Sequence, residues 1–273
     1  MREDPVITSP ANARLKALSA LRRRRVREQQ GLTLLEGFEE LTLALDAGVA
    51  PRTVLYCPEL MADPGTQQDT LDRAVAAGAE PLRLSRAAFE KVAYREGPDG
   101  FLAVVPGVSR AVADLDLGAA DAFVLVAEAV EKPGNLGAML RTADAAGVHA
   151  VVAADPVTDW GNPNVVRASK GTVFSVPVAA DPTARVLEHL ARCGIPVVAA
   201  TPDTEVEYTE VDYTGPVAVA VGAEKTGLSE RLLAAATHRV RIPMVGRVNS
   251  LNVATSAALI SYEVVRQRRL RTR

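Results

Sequence analysis

The sequence predicts an α/β protein of two domains, each built from strands that alternate with helices. Three observations carry that prediction. Apolar runs such as A-F-V-L-V-A-E after Asp121 and P-V-A-V-A-V-G ending at Gly222 are continuous, as in strands buried on both faces of a parallel sheet. Helical patterns lie between such runs, several of them closed by glycine. The stretch from Pro106 to Ala120 carries turn and charge residues with little periodicity, so it is the expected linker. The expected domains are therefore 1–106 and 121–273, joined by 107–120.

In the first half, Ser9 to Gln30 predicts one helix, with Leu15, Leu18 and Leu21 as its apolar face and Pro10 in its first turn. Arg22, Arg23, Arg24 and Arg25, with Arg27, form a cationic block at its end. That block is either a solvated helix end favoured by the helix dipole or a contact for RNA phosphates. L-T-L-L-E-G is a strand, and Phe38 to Ala47 a helix stopped by Gly48. R-T-V-L-Y-C is a strand, Asp63 to Thr70 a polar loop, and a helix through Val75 ends at Gly78. P-L-R-L, a short helix capped by Ser85 and F-L-A-V-V complete the half.

In the second half, E-K-P-G-N-L-G follows the first strand as a loop, and a helix runs from Leu136 to Ala146. H-A-V-V-A-A is a strand, and R-A-S-K-G-T leads into V-F-S-V-P-V. A helix covers Thr183 to Arg192. I-P-V-V-A-A-T is a strand, S-E-R-L-L-A-A-A a helix and H-R-V-R-I-P the last strand. Asn252 then caps a long helix rich in arginine at its end.

Composition narrows the function. The chain has 273 residues, 48% of them hydrophobic but only 4% aromatic, so its cores rest on Ala, Val and Leu. A formal charge of −2 argues against a general polyanion binder but allows a local basic patch. Cys57 and Cys193 are far apart, which fits a reducing cytoplasm and no zinc or disulfide framework. M-R-E-D-P lacks the apolar core of a signal peptide. No apolar run approaches the ~20 residues of a membrane span.

No G-x-G-x-x-G, P-loop, G-x-S-x-G or metal-ligand cluster is present. His149 reads as a strand-start residue, His189 as helix surface and His238 as a helix end. What remains is three loops leaving strand ends, at Ala127–Gly137, Gly222–Gly227 and Pro243–Leu251. Ligands bind beyond such ends in an open parallel sheet.

Three stretches, N-L-G-A-M-L-R-T-A-D-A-A-G from Asn135, V-A-V-G-A-E-K-T-G-L from Val219 and the segment from Val240 to Arg273, together resemble the signature motifs of the SpoU (TrmH) family. These are RNA ribose 2′-O-methyltransferases of the SPOUT superfamily. The resemblance is close over the C-terminal half and loose before it. It implies S-adenosylmethionine as cofactor, a trefoil knot, a homodimer with a shared active site and a small ribosomal-protein-like α/β domain at the N-terminus. Gly222, Ile242 and Leu251 match cofactor-binding positions. Met244 adds apolar contact, and Thr201 and Pro202 match the remaining wall. Asn135, Arg141, Glu224, Ser250 and Asn252 match the polar active-site set. Ser169 and Lys170 fall in a familiar position, with RNA contact or loop ordering expected, and Lys132 and Arg167 are assigned to the same cationic rim. The family often shows D-P-x-N where this chain has E-K-P-G-N.

The long N-terminal domain resembles that of large-subunit ribosomal RNA methylators, antibiotic-resistance types among them. The expectation is thus a cytoplasmic, metal-free enzyme that methylates 23S ribosomal RNA. The alternatives are a transfer RNA methylase, a non-catalytic RNA-binding homologue and, from another class, a nucleotide-dependent oxidoreductase.

Overall fold

In a computed structural model, residues 6–271 are described; M-R-E-D-P at the start and Thr272–Arg273 lie outside them. The chain divides into two compact units. The first holds 1–108 with 160–175, and the second 109–159 with 176–273.

The first unit is a four-stranded sheet of β1 (Leu32–Glu36), β2 (Thr53–Tyr56), β3 (Glu80–Arg83) and β4 (Phe101–Pro106), in the order β1-β4-β2-β3. β4 is antiparallel to both its neighbours, and β2 and β3 are parallel. The single helix expected over 9–30 is instead two, α1 (Ala13–Ser19) and α2 (Arg24–Gln30), joined by a 3₁₀ turn and an extended Arg23. Asn12, not Pro10, marks the start, because its side chain accepts from the Arg14 amide. Leu15 and Leu21 are buried as expected.

α3 (Phe38–Asp46) and α5 (Arg86–Val92) lie where predicted. The polar loop at 63–70 is instead the first half of α4 (Pro64–Ala76). Asp63 caps it and Pro64 opens it, so residues that read as loop chemistry are start signals. The segment 160–175 packs here too. Trp160 is fully buried, Thr33 donates to the Gly161 carbonyl, and α7 (Pro163–Ala168) lies on β1.

The second unit is a six-stranded, all-parallel sheet. Its strands are β5 (Phe123–Glu128), β6 (Ala150–Ala154), β7 (Val178–Asp181), β8 (Val197–Ala200), β9 (Val217–Val221) and β10 (His238–Val240), ordered β10-β8-β9-β5-β6-β7. The even-numbered residues of β5, Val124 and Val126, share a core with Val186, Leu190 and Leu232 of α8 (Thr183–Arg192) and α9 (Glu230–Ala235). The alternate side chains point the other way. There α6 (Pro133–Ala146) packs with α10 (Val253–Arg271), completing helices on both faces. Val112, Leu115 and Leu117 join the first of these cores.

α6 starts three residues earlier than expected. Pro133, Gly134 and Asn135 form its first turn, where a proline loses no hydrogen bond. Two histidines differ from expectation. His189 is buried, with Nδ1 2.7 Å from Arg192, because its face of α8 turns inward. His238 opens β10 rather than ending a helix. His149 sits immediately before β6, its Nδ1 accepting from the Phe123 amide at 3.0 Å.

Candidate active site

Because every strand of the six-stranded sheet runs the same way, the loops after all six emerge at one edge, those after β5, β8, β9 and β10 among them. The order reverses beside β5, since β6 follows on one side and β9 is inserted on the other. Such a reversal opens a crevice at the carboxyl edge.

Three predicted polar residues meet there. Glu224 Oε1 accepts from Asn135 Nδ2 at 2.7 Å and from Asn252 Nδ2 at 3.2 Å. The two amides also touch, Asn252 donating to Asn135 Oδ1 at 3.2 Å. Asn252 Oδ1 meanwhile accepts from the Ala254 amide, so one side chain both caps α10 and joins the cluster. Glu224 Oε2 pairs with Lys132. The Lys132 hydrogen bond, with that of Asn135, holds the Glu224 carboxyl below the usual range, so it stays ionised. Lys132, expected on an RNA-facing rim, is thus engaged with the cluster.

The structure does not bring the other predicted polar residues into this contact. Arg141 lies farther along α6, exposed and with no polar partner given among the described residues. Ser250 is exposed in the loop after β10. In that loop Ile242 and Met244 are half-buried and Leu251 is 36% exposed, leaving apolar surface open at the edge. Thr201 continues β8, its amide bonded to the Val240 carbonyl, and Pro202 follows it, exposed.

Gly222 shows why the loop after β9 needs glycine. A Cβ there would stand 2.2 Å from the Gly227 carbonyl carbon and 2.4 Å from the Leu228 amide. The loop doubles back on its own main chain, leaving a backbone-lined turn at the crevice.

Sequence reasoning missed the floor of this edge. Glu128, buried at the end of β5, accepts from the Ser229 amide and hydroxyl, each at 2.7 Å, and from the Thr183 hydroxyl at 2.8 Å. It ties together the starts of α8 and α9. The available signal was an acidic residue closing an otherwise apolar strand.

The arginine block resolves into different environments. Arg22 donates to the carbonyls of Val92 and Ala93 and lies over Tyr94, and Arg24 pairs with Glu28. Arg27 is buried against the carbonyls of Leu21 and Arg22. Arg23 and Arg25 are exposed. Arg167 and Lys170 are exposed in the first unit, Lys170 being 3.7 Å from Glu39.

No group of three or more His, Cys, Asp or Glu suited to a metal occurs among the described residues. None of their helices is long and apolar enough to cross a membrane.

Residues 122–262 match the sequence model of the SpoU rRNA Methylase family, and residues 12–103 match the MRM3-like substrate binding domain. A 23S rRNA (guanosine-2′-O-)-methyltransferase, RlmB, from Ralstonia nicotianae is 32% identical over 86% of this chain and 96% of its own length. Among solved structures, one described as an RNA 2′-O ribose methyltransferase superposes with a TM-score of 0.83 at 40% identity, covering 97% of this chain and 99% of that one. The SpoU methyltransferase AviRb from Streptomyces viridochromogenes, in complex with AdoMet, gives 0.86 at 28% identity over 94% and 98% of the chains.

Proposed function

The chain belongs to the SpoU rRNA Methylase family, and from that premise we propose how its own residues carry out methyl transfer to a ribose 2′-oxygen of 23S ribosomal RNA. The observation that carries the reading is the Asn135–Glu224–Asn252 cluster beside the Gly222 turn. It puts a fixed polar centre next to a backbone-lined crevice.

The crevice fits S-adenosylmethionine. Gly222 keeps the turn free of side chain, Thr201 and Pro202 form a wall, and Ile242, Met244 and Leu251 offer apolar surface to an adenine ring. When bound, the cofactor supplies an electrophilic sulfonium methyl with a good leaving group, so no covalent enzyme intermediate is needed.

The protein's work is then positioning and charge control. Glu224 fixes both asparagine amides, and Asn135 and Asn252 orient the sugar. Ser250 adds a hydroxyl at the same edge. Arg141 holds the adjacent phosphate with its planar guanidinium and stabilises negative charge growing on the 2′-oxygen. A guanidinium hardly ever gives up its proton, so Arg141 is not assigned as the base.

Arg23, Arg25, Arg167 and Lys170 supply cations for RNA phosphates on the first unit, the part resembling a substrate-binding domain. Arg22 and Arg24 have local partners and contribute less. We further propose a knotted second unit, a cytoplasmic location and a homodimer. The dimer face is supported by an apolar groove of about 410 Å³ formed by Ala145, Tyr262, Val265, Arg266, Arg269 and Leu270. Arg141 precedes Ala145 by one turn on α6, so a dimer through that groove brings Arg141 to the shared face.

The test is transfer of labelled methyl from S-adenosylmethionine to purified 23S ribosomal RNA, with mapping by resistance to alkaline cleavage. One modified ribose is expected, and none with Asn135→Ala. Label on transfer RNA alone would redirect the substrate. Label on a base would overturn the ribose chemistry.

A further inference from the structure

Away from the crevice, the first unit contains a cavity of about 550 Å³ lined by Glu40, Arg95, Glu96, Arg167 and Lys170. This size lies within the range of ligand sites, about 300–1,000 Å³. The cavity is built rather than incidental. Gly37 has no side chain, and the place its Cβ would fill lies 2.0 Å from Glu40 Oε2 and 3.3 Å from Arg95 Nη1. Carboxylate and guanidinium therefore converge over bare backbone.

Of the cavity's cations, Arg95 is 3.3 Å from Asp99 Oδ2 and Lys170 is 3.7 Å from Glu39 Oε2. Glu40 is only 3% exposed. Glu36 Oε2, outside the lining, accepts from the amides of Tyr94 and Arg95 and so holds the start of Arg95 in place. Burial raises the Glu40 carboxyl above its ordinary range. Arg167 has no polar partner among the described residues.

The mixed lining selects among ligands. A bare phosphate would meet Glu40 and Glu96, and a metal ion would meet three cations. Guanine suits both signs. Its N1–H and N2–H₂ donate along one edge, matching a carboxylate, while O6 and N7 accept along another, matching an arginine. Adenine, cytosine and uracil lack that combination. A remaining cation can hold the nucleotide's own phosphate.

We propose that this cavity receives one unstacked guanine nucleotide of the RNA, as a recognition site separate from the methyl-transfer centre. The proposal rests on the reading that the enzyme acts on RNA. Glu40 accepts from the base, Arg95 donates to it, and Arg167 with Lys170 grips the phosphate. Single-stranded loops and bulges are where RNA exposes such a base.

The test is calorimetry of the full chain saturated with S-adenosylhomocysteine, using the trinucleotides U-G-U, U-A-U, U-C-U and U-U-U and inorganic phosphate. U-G-U is expected to bind about tenfold tighter than the others, as for a lost bidentate base contact, and phosphate to give no heat. Arg167→Ala, on the surface, and Glu40→Gln should each remove that preference, while Asn135→Ala should keep it. A melting curve confirms that each variant is folded. Equal binding of all probes would reduce the cavity to an anion patch and overturn the proposal. So would no binding, or a preference lost with Asn135→Ala but kept with Arg167→Ala. Methyl transfer to ribosomal RNA, assayed alongside, separates the readings: transfer without guanine preference sinks only the cavity.

Discussion

Arg141 is the residue on which the chemistry can be tested most directly. It is exposed and has no polar partner among the described residues, so replacing it disturbs no network among them. Arg141→Lys keeps the charge but loses the fork. The expected result is a fall in kcat of about tenfold or more, with the KM for S-adenosylmethionine and the shape of the pH profile unchanged. Activity near wild type would argue against a two-pronged grip. Glu36 gives a pH prediction. Burial pushes its carboxyl up to about 7, against the pull of the Tyr94 and Arg95 amides and the Arg95 charge. The folded protein thus holds this proton more tightly than the unfolded chain. The stabilising contribution is complete below the ordinary value of 4.5 and is lost as pH rises through about 7. Glu36→Gln should flatten the dependence of melting temperature on pH between those limits, measured against wild type by calorimetry. At this scale the sequence was partly legible. Asn135, Glu224 and Asn252 could be named from motifs, but their mutual hydrogen bonds depend on strand order. Glu128 was overlooked because it ends an apolar run whose pattern speaks only of burial.

Elements were more legible than their ends. The helix at Thr183–Arg192 and the strands at 123–128 and 217–221 lie where periodicity and glycine stops place them. The first half of α4 has the sequence of a loop because Asp, Pro and Gly are shared by turns and helix starts. Its cap is testable. Asp63 accepts from the Gly65 amide at 3.2 Å and the Thr66 hydroxyl at 2.7 Å, so Asp63→Ala should lower the denaturant midpoint of unfolding without changing its slope. The loop after β9 gives a sharper case. Gly222→Ala drives a methyl into the main chain at Gly227. The loop must open, and binding of S-adenosylmethionine should fall below calorimetric detection, while circular dichroism shows the secondary structure retained. Binding at wild-type strength would mean that the turn is not part of the pocket.

For the molecule as a whole, alternation of strands and helices announces α/β architecture and, in the second half, a mostly parallel sheet with helices on both faces. Assignment of 160–175 to the first unit was not visible, because a buried tryptophan and a short helix carry no mark of which core receives them. Association is the prediction proper to this scale. Leu259, Tyr262 and Leu270 of α10 are 39%, 51% and 58% exposed, while Ala257, Ile260 and Val264 fill the core behind them. An amphipathic helix does not leave such a stripe to water without cost. Tyr262→Asp should convert a dimer to a monomer in sedimentation experiments and abolish methyl transfer. A wild-type monomer that is fully active would exclude the shared face.

Asn252 follows Asn135 by 117 positions, yet their amides touch. Contacts between such distant parts of a chain form late in folding. During translation, a nascent polypeptide stopped short of Asn252 therefore holds all six strands of the second sheet but neither α10 nor the Asn135–Glu224–Asn252 cluster. If the cluster is the methyl-transfer centre proposed above, activity is expected only after that asparagine has cleared the exit tunnel.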